Sequence, residues 1–205
     1  MIRFTKMQGA GNDYIYVNGF TETVNDPEVF ARFVSDRHFG VGSDGLILIL
    51  PSRTADFRMR MFNADGSEGQ MCGNGVRCVA KYVYDYGLTP KTQITLETPA
   101  GIKELRMTLG EDCKVSAVRV DMGPAILDPA AIPIKSALRR FIDQPIQVGD
   151  RTFRATCVSM GNPHAVVCVQ DPAAFDLYRW GPLFEHHPLF PHRVNTEFIR
   201  VDDPH

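Results

Sequence analysis

The chain has 205 residues, of which 44% are hydrophobic and 22% charged, with a formal net charge of −2. That balance fits an ordinary globular protein of one large domain or two small ones, and it excludes a global positive field for nucleic acid or anionic membrane. No apolar run approaches the ~18 residues of a membrane span, and "MIRFTKMQGAGNDY" lacks the apolar core of a signal peptide, so a cytoplasmic location is expected.

The opening "MIRFTKMQGAGNDYIYVNGF" reads as strand, glycine-rich turn and strand. "DPEVFARFVSDRH" carries a helix start, with Asp26 as cap and Pro27 at the first helical position. Val29, Phe30, Phe33 and Val34 are its expected apolar stripe. "GLILILP" is a short buried-type strand, and "FRMRMFN" alternates Phe57, Met59 and Met61 against arginines as a one-faced strand does. Val76, Val79, Ala80, Val83 and Tyr84 then recur at helical spacing until Gly87 stops the run.

"QITLETPAGIKELRMTL" predicts a hairpin turning at Pro99-Ala100-Gly101, and "VSAVRVDMG" a further strand. The proline-rich stretch from "GPAILDPAAIP" to about Pro145 suggests a boundary between lobes. "PIQVGDRTFRATCVSMGNPHAVVCV" reads as strands, and "DPAAFDLYRWG" as a helix with Asp171 and Pro172 at its start. "RVNTEFIRVDDPH" is strand-like. Many short antiparallel-looking strands with few helices indicate an α+β fold, and an Asp-Pro-started helix in each half hints at duplication.

Cys72, Cys78, Cys113, Cys157 and Cys168 show no paired spacing, so free thiols are expected rather than a disulfide framework. Zinc is not expected, because only "HHPLFPH" offers loosely spaced histidines. Cys72 differs from the rest. It lies just before the helix expected to begin near Gly75, facing unpaired backbone N–H groups and the positive end of the dipole. Such a setting favours the thiolate form of a cysteine. Gly73 and Gly75 permit close backbone approach, so the same amides could hold a substrate carboxylate. The alternative is a buried thiol in a glycine-rich turn. Cys78 falls off the helical stripe and reads as structural, as do Cys113, Cys157 and Cys168, which lack flanking glycine. Asn12 in "GAGND", Asn63 in "FNADGSE", Asn162 and His164 in "SMGNPH", and Asn195 in "RVNTEF" are further candidates. Each asparagine is also an ordinary turn former, and His164 alone is also an ordinary structural histidine.

Taken in order, "KMQGAGNDY", "FNADGSEGQMCGNGVRC", "VSMGNPHAVV" and "RVNTEF" resemble the diaminopimelate epimerase family from Met1 to almost the last residue. The Cys-Gly-Asn-Gly loop alone is also similar to proline racemases. The resemblance implies two pseudo-symmetric lobes, each a mainly antiparallel sheet wrapped around a central helix, here residues 1–122 and 123–205. It implies inversion of one α-carbon of LL-diaminopimelate to the meso isomer by two opposed cysteines, without pyridoxal phosphate, other cofactor or metal, in lysine and peptidoglycan precursor synthesis. Cys72 would be one acid/base thiol, and His164 would tune its proton state. Asn12, Asn63, Asn162, Asn195 and the amides of Gly73 and Asn74 would bind substrate. A homodimer is implied, with no nucleic-acid or membrane partner.

The chain departs from the family's pattern in two places. No later Ala-Cys-Gly-Thr-Gly-like loop follows, so the second lobe is expected to be incomplete before the second cysteine, and the 205-residue chain to be inactive or impaired. Gly45 in "GSDGL" stands where some members carry a substrate-contacting glutamine. A related amino-acid racemase and a non-catalytic binding protein are the alternative readings.

Overall fold

The computed structural model describes residues 2–203. The chain divides into two compact units, Met1–Met122 and Gly123–His205.

The first unit opens with strands β1 (Thr5–Gly9) and β2 (Asn12–Asn18), helix α1 (Pro27–Ser35), and strands β3 (Gly45–Leu50), β4 (Phe57–Asn63) and β5 (Glu68–Gly69). Helix α2 (Gly73–Asp85) follows, then β6 (Gln93–Thr98), β7 (Gly101–Leu109) and β8 (Val115–Val120). The strands form one sheet in the order β1-β2-β3-β4-β6-β7-β8, with β5 on β4. Only β2–β3 and β4–β6 pair in parallel. Helix α2 packs against β1 and β2 at one end of this order and against β7 and β8 at the other, so the sheet curls around it.

The curl follows from the sequence. Tyr14, Tyr16, Ile47, Ile49, Met59 and Met61 face α2 and close on its Val76, Val79, Ala80 and Val83. The alternate residues Ile15, Val17, Leu46, Leu48 and Phe62 face α1. Strands β2 to β4 are thus covered on both sides, which is why "GLILIL" is apolar without alternation. Each such fully buried aliphatic side chain contributes roughly 1.5–3 kcal/mol.

Asp26 caps α1 by accepting from the Val29 amide at 3.2 Å, with Pro27 first in the helix. Its expected apolar stripe is corrected, because Val29 and Phe33 are 53% and 64% exposed. Val34 of the stripe is buried and Phe30 packs against the core, and Ala31 and Ser35 take the places of Val29 and Phe33 against the sheet. Small residues allow close approach there, and Ser43 Oγ donates to Ser35 Oγ at 3.1 Å across the contact.

In the second unit, β9 (Gln144–Val148), β10 (Arg151–Ser159), β11 (Pro163–Cys168) and β12 (Asn195–Ile199) form a sheet in the order β12-β11-β10-β9, parallel only between β11 and β12. Helix α3 (Leu177–Glu185) packs on β9 and β12, again the two edge strands. The Phe153 ring meets Trp180 at 4.9 Å and Phe184 at 5.2 Å, both edge-on. Ile132, Ile134 and Phe141 of the proline-rich stretch are buried in this core.

The expected start of α3 is also corrected. Asp171 accepts from the Ala173 and Ala174 amides at 3.0 and 3.4 Å, a local turn that competes with helix. Asp176 is the cap, accepting from the Arg179 amide at 3.1 Å. An Asp-Pro start therefore belongs to α1 only. Among the described residues no helix is long and apolar enough to cross a membrane.

Candidate active site

Cys72 is the N-cap residue of α2, in extended backbone conformation. Its Sγ accepts from the Gly75 amide at 3.3 Å and donates to Asn12 Oδ1 at 3.3 Å. At Gly75 an added β-carbon would lie 2.6 Å from Ile47 Cδ1, so the end of that side chain would have to shift to admit it. Around Gly73 the space is open, and the nearest atom to an added β-carbon is Met122 Cε at 4.0 Å. The amides of Gly73 and Asn74, the first two of the helix, have no intrahelical acceptor and carry the positive end of the dipole. The Asn74 side chain is turned to its own helix, where Oδ1 accepts from Arg77 Nη2 at 2.6 Å.

The turn between β1 and β2 abuts this helix end, with Gly9 against Asn74. Asn12 leaves that turn with both ends of its amide engaged. Oδ1 receives the Cys72 thiol, and Nδ2 donates to Asp44 Oδ2 at 2.7 Å. The same Asp44 oxygen accepts the Asp13 amide at 3.0 Å, and Asp44 Oδ1 accepts from Arg37 Nη2 at 3.0 Å. Arg37 also reaches Asp13 Oδ1 at 3.0 Å, and Lys6 reaches Asp13 Oδ2 at 3.0 Å. Burial raises the Asp13 pKa, but Arg37 and Lys6 outweigh it and hold the carboxyl at about 2.

Tyr14 lies two residues beyond Asn12 on the same face of β2 and is 5% exposed. Burial pushes its phenol up, and the neighbouring Cys72 adds to the shift. Gly45 pairs with Tyr14, and a β-carbon at Gly45 would lie 2.8 Å from the Tyr14 ring. The tyrosine thus fills the space a side chain at position 45 would need. Asn63, paired with Gly45 on the next strand, donates from Nδ2 to Ser67 Oγ at 3.0 Å.

In the second unit, His164 Nδ1 is 2.6 Å from Glu197 Oε1 and Nε2 is 3.0 Å from Asn162 Oδ1. Asn195 pairs with His164 across β11–β12 and donates from Nδ2 to the Pro163 carbonyl at 3.1 Å. The structure therefore groups Asn12, Cys72, Gly73 and Asn74 in the first unit, and Asn162, His164 and Asn195 in the second. Asp44, Arg37, Tyr14 and Glu197 were missed by sequence reasoning. The signals available were an acid between glycine-rich turns in "GSDG", and a glutamate two residues beyond Asn195 on one strand face. Among the described residues no group of three His, Cys, Asp or Glu side chains is arranged to hold a metal.

A family model described as diaminopimelate epimerase matches residues 4–127. A diaminopimelate epimerase of Agathobacter rectalis is 59% identical over 207 residues, covering 98% of this chain and 72% of that protein. The chain belongs to the diaminopimelate epimerase family. Another diaminopimelate epimerase, from Acetivibrio thermocellus, is 57% identical over 202 residues, again 98% of this chain and 72% of the relative. Among solved structures, a hydroxyproline epimerase from Agrobacterium vitis, with trans-4-hydroxy-L-proline bound, aligns with a TM-score of 0.62. That alignment covers 88% of this chain and 53% of the other at 17% identity, a likeness of fold. Membership in the diaminopimelate epimerase family bears out the α+β two-lobe fold and makes the chain an isomerase.

Proposed function

We propose that the chain acts in the epimerisation of LL-2,6-diaminopimelate to the meso isomer, with Cys72 as one of two acid/base groups. The observation that carries this reading is the Cys72 thiol at the mouth of α2, beside the Gly73 and Asn74 amides. As thiolate, the sulfur takes the α-proton: the Cα–H bond breaks, an S–H bond forms, and the electron pair spreads into the α-carboxylate. Charge then builds on carboxylate oxygens where the helix amides are preorganised to donate. One such donor is worth roughly 3 kcal/mol in a closed site. Return of a proton from the opposite face completes the inversion without a cofactor.

The other four cysteines do not fit the opposing role. Burial pushes the Cys78 thiol up, and pushes Cys157 up to about 12. Cys113 lies in a turn with φ 58°, and Cys168 is exposed at the end of β11. His164, held between Glu197 and Asn162, is proposed to tune the proton state of the thiol. Asn63, Asn162 and Asn195 are proposed to hold the distal amino and carboxylate groups, because a neutral amide can donate to one and accept from the other. The homodimer, cytoplasmic location and role in lysine and peptidoglycan precursor synthesis are proposed on family membership.

The test is incubation of LL-diaminopimelate in D2O with the protein purified from its native cells, followed by proton NMR and chiral chromatography. The reading predicts α-deuterium and meso product with diaminopimelate, none with proline, and none with Cys72→Ala.

A further inference from the structure

Which end of the Asn12 amide faces the sulfur is decided one residue further out. We propose that Asp44 is a positioning residue that, through Asn12, keeps a hydrogen-bond acceptor aimed at the Cys72 sulfur. A carboxylate only accepts hydrogen bonds, so the amide end that meets Asp44 at 2.7 Å must be the Nδ2 donor. The carbonyl end is thereby left to face Cys72 at 3.3 Å, where it accepts the thiol proton. An acceptor aimed at sulfur favours S–H over S⁻. The same amide turned end for end would aim an N–H at the sulfur and favour the thiolate.

Asp44 is itself fixed. Arg37 holds Oδ1 at 3.0 Å and the Asp13 amide holds Oδ2 at 3.0 Å, so the carboxylate does not depend on Asn12 for its place. The lock acts against the Gly75 amide, which donates to the sulfur at 3.3 Å, and against the helix dipole. The titratable group in hydrogen-bonding contact with both the sulfur and Asn12 is Tyr14 from β2; Tyr16 from β2 and Cys78 from α2 act on the sulfur by charge only, and Asp44 lies behind Asn12. The inference rests on the reading of Cys72 as an acid/base thiol, but its test reads the sulfur and not turnover.

Iodoacetamide alkylates the thiolate, which displaces iodide as the C–S bond forms. The rate at Cys72 is followed in the full chain by the mass of tryptic peptide 61–77, which holds no other cysteine. Asp44→Asn removes the acceptor-only partner and frees the amide to turn. Alkylation at pH 7 is expected to rise about tenfold, with its pH profile moved to lower pH, the scale of one hydrogen bond to a charged group. In the Asn12→Ala background the same change is expected to alter the rate by less than about twofold, because the lock has lost its middle member. Equal acceleration in both backgrounds would mean that Asp44 acts only by its charge, and no acceleration in either would mean that it does not bias the sulfur; both overturn the inference. If Asp44→Asn does not fold, the wild-type amide is read by NMR. One Asn12 Nδ2 proton shifted downfield and slow to exchange supports the lock, and two averaged, fast-exchanging protons overturn it. Retention of epimerisation by Cys72→Ala would instead defeat the proposed function and leave the alkylation result standing.

Discussion

Asn12 and Cys72 meet at 3.3 Å although sixty residues separate them, because the β1–β2 turn closes over the first turn of α2. Asn12→Ala removes the acceptor without opening the core. Loss of the hydrogen bonds to Cys72 and Asp44 predicts a kcat/KM lowered about tenfold, with a melting temperature little changed because Asp44 keeps Arg37 and the Asp13 amide. Steady-state kinetics beside a thermal melt separate the two effects. Equal losses in activity and stability would contradict a positioning role.

Gly45 is fixed by its neighbours on both sides. A side chain there would run into the Phe62 carbonyl and lie 2.8 Å from the Tyr14 ring. Gly45→Ala is therefore expected to destabilise the protein by about 2–4 kcal/mol, since backbone of β4 must move to admit it. Urea denaturation measures this. Pairing the change with Tyr14→Ala, which vacates one of the two obstacles, is expected to recover only part of the loss because the Phe62 carbonyl remains.

Asp13 ties β2 to Lys6 and Arg37, and these cations hold its carboxyl at about 2 against an ordinary 3.8. A carboxyl depressed in the folded state stabilises it fully above the unfolded value, and the contribution is lost as pH falls through the folded one. Asp13→Asn should thus cost about 1–2 kcal/mol at neutral pH, after allowance for solvent screening. Wild type and variant should converge between pH 3.8 and about 2. Urea midpoints across that window show convergence if the pairing is responsible. A constant gap would assign the cost to packing.

The thiols divide by burial. Cys78 and Cys157 are buried, whereas Cys72, Cys113 and Cys168 are partly or fully exposed. A chromogenic disulfide reagent at pH 8 is expected to titrate the latter three in the native protein, and Cys78 and Cys157 only after unfolding. Fast native reaction of Cys157 would contradict the core of the second unit.

Most elements were legible from local chemistry. Asp26 and Pro27 mark a helix start, Phe57, Met59 and Met61 alternate, and Pro99-Ala100 closes a hairpin. The errors arose where a local pattern met a tertiary choice. Val29 and Phe33 lie at helical spacing, but the face carrying Ala31 and Ser35 fits closer to the sheet. Asp171 and Pro172 read as a helix start, yet Asp171 spends its oxygen on a turn and Asp176 caps instead. Cys78 is the structural thiol its position off the stripe suggests, yet it is buried in the core, because a sheet that meets α2 from β1 through β8 covers more than one stripe of it. At the site, the Cys72 setting was readable because cap, glycines and helix are contiguous. Asp44 and Glu197 were not, because each acts on a residue that only strand pairing brings near.

Exchange of the α-proton of diaminopimelate is the role proposed for Cys72. The most direct measurement is α-deuterium incorporation into LL-diaminopimelate in D2O by the protein purified from its native cells, compared with a Cys72→Ser variant expressed in the same cells. Incorporation by the wild type is expected, with a rate lowered about 10²- to 10⁴-fold in the variant, because a hydroxyl is a far poorer base than a thiolate. Equal incorporation by the two proteins, or none by the wild type, would contradict that role.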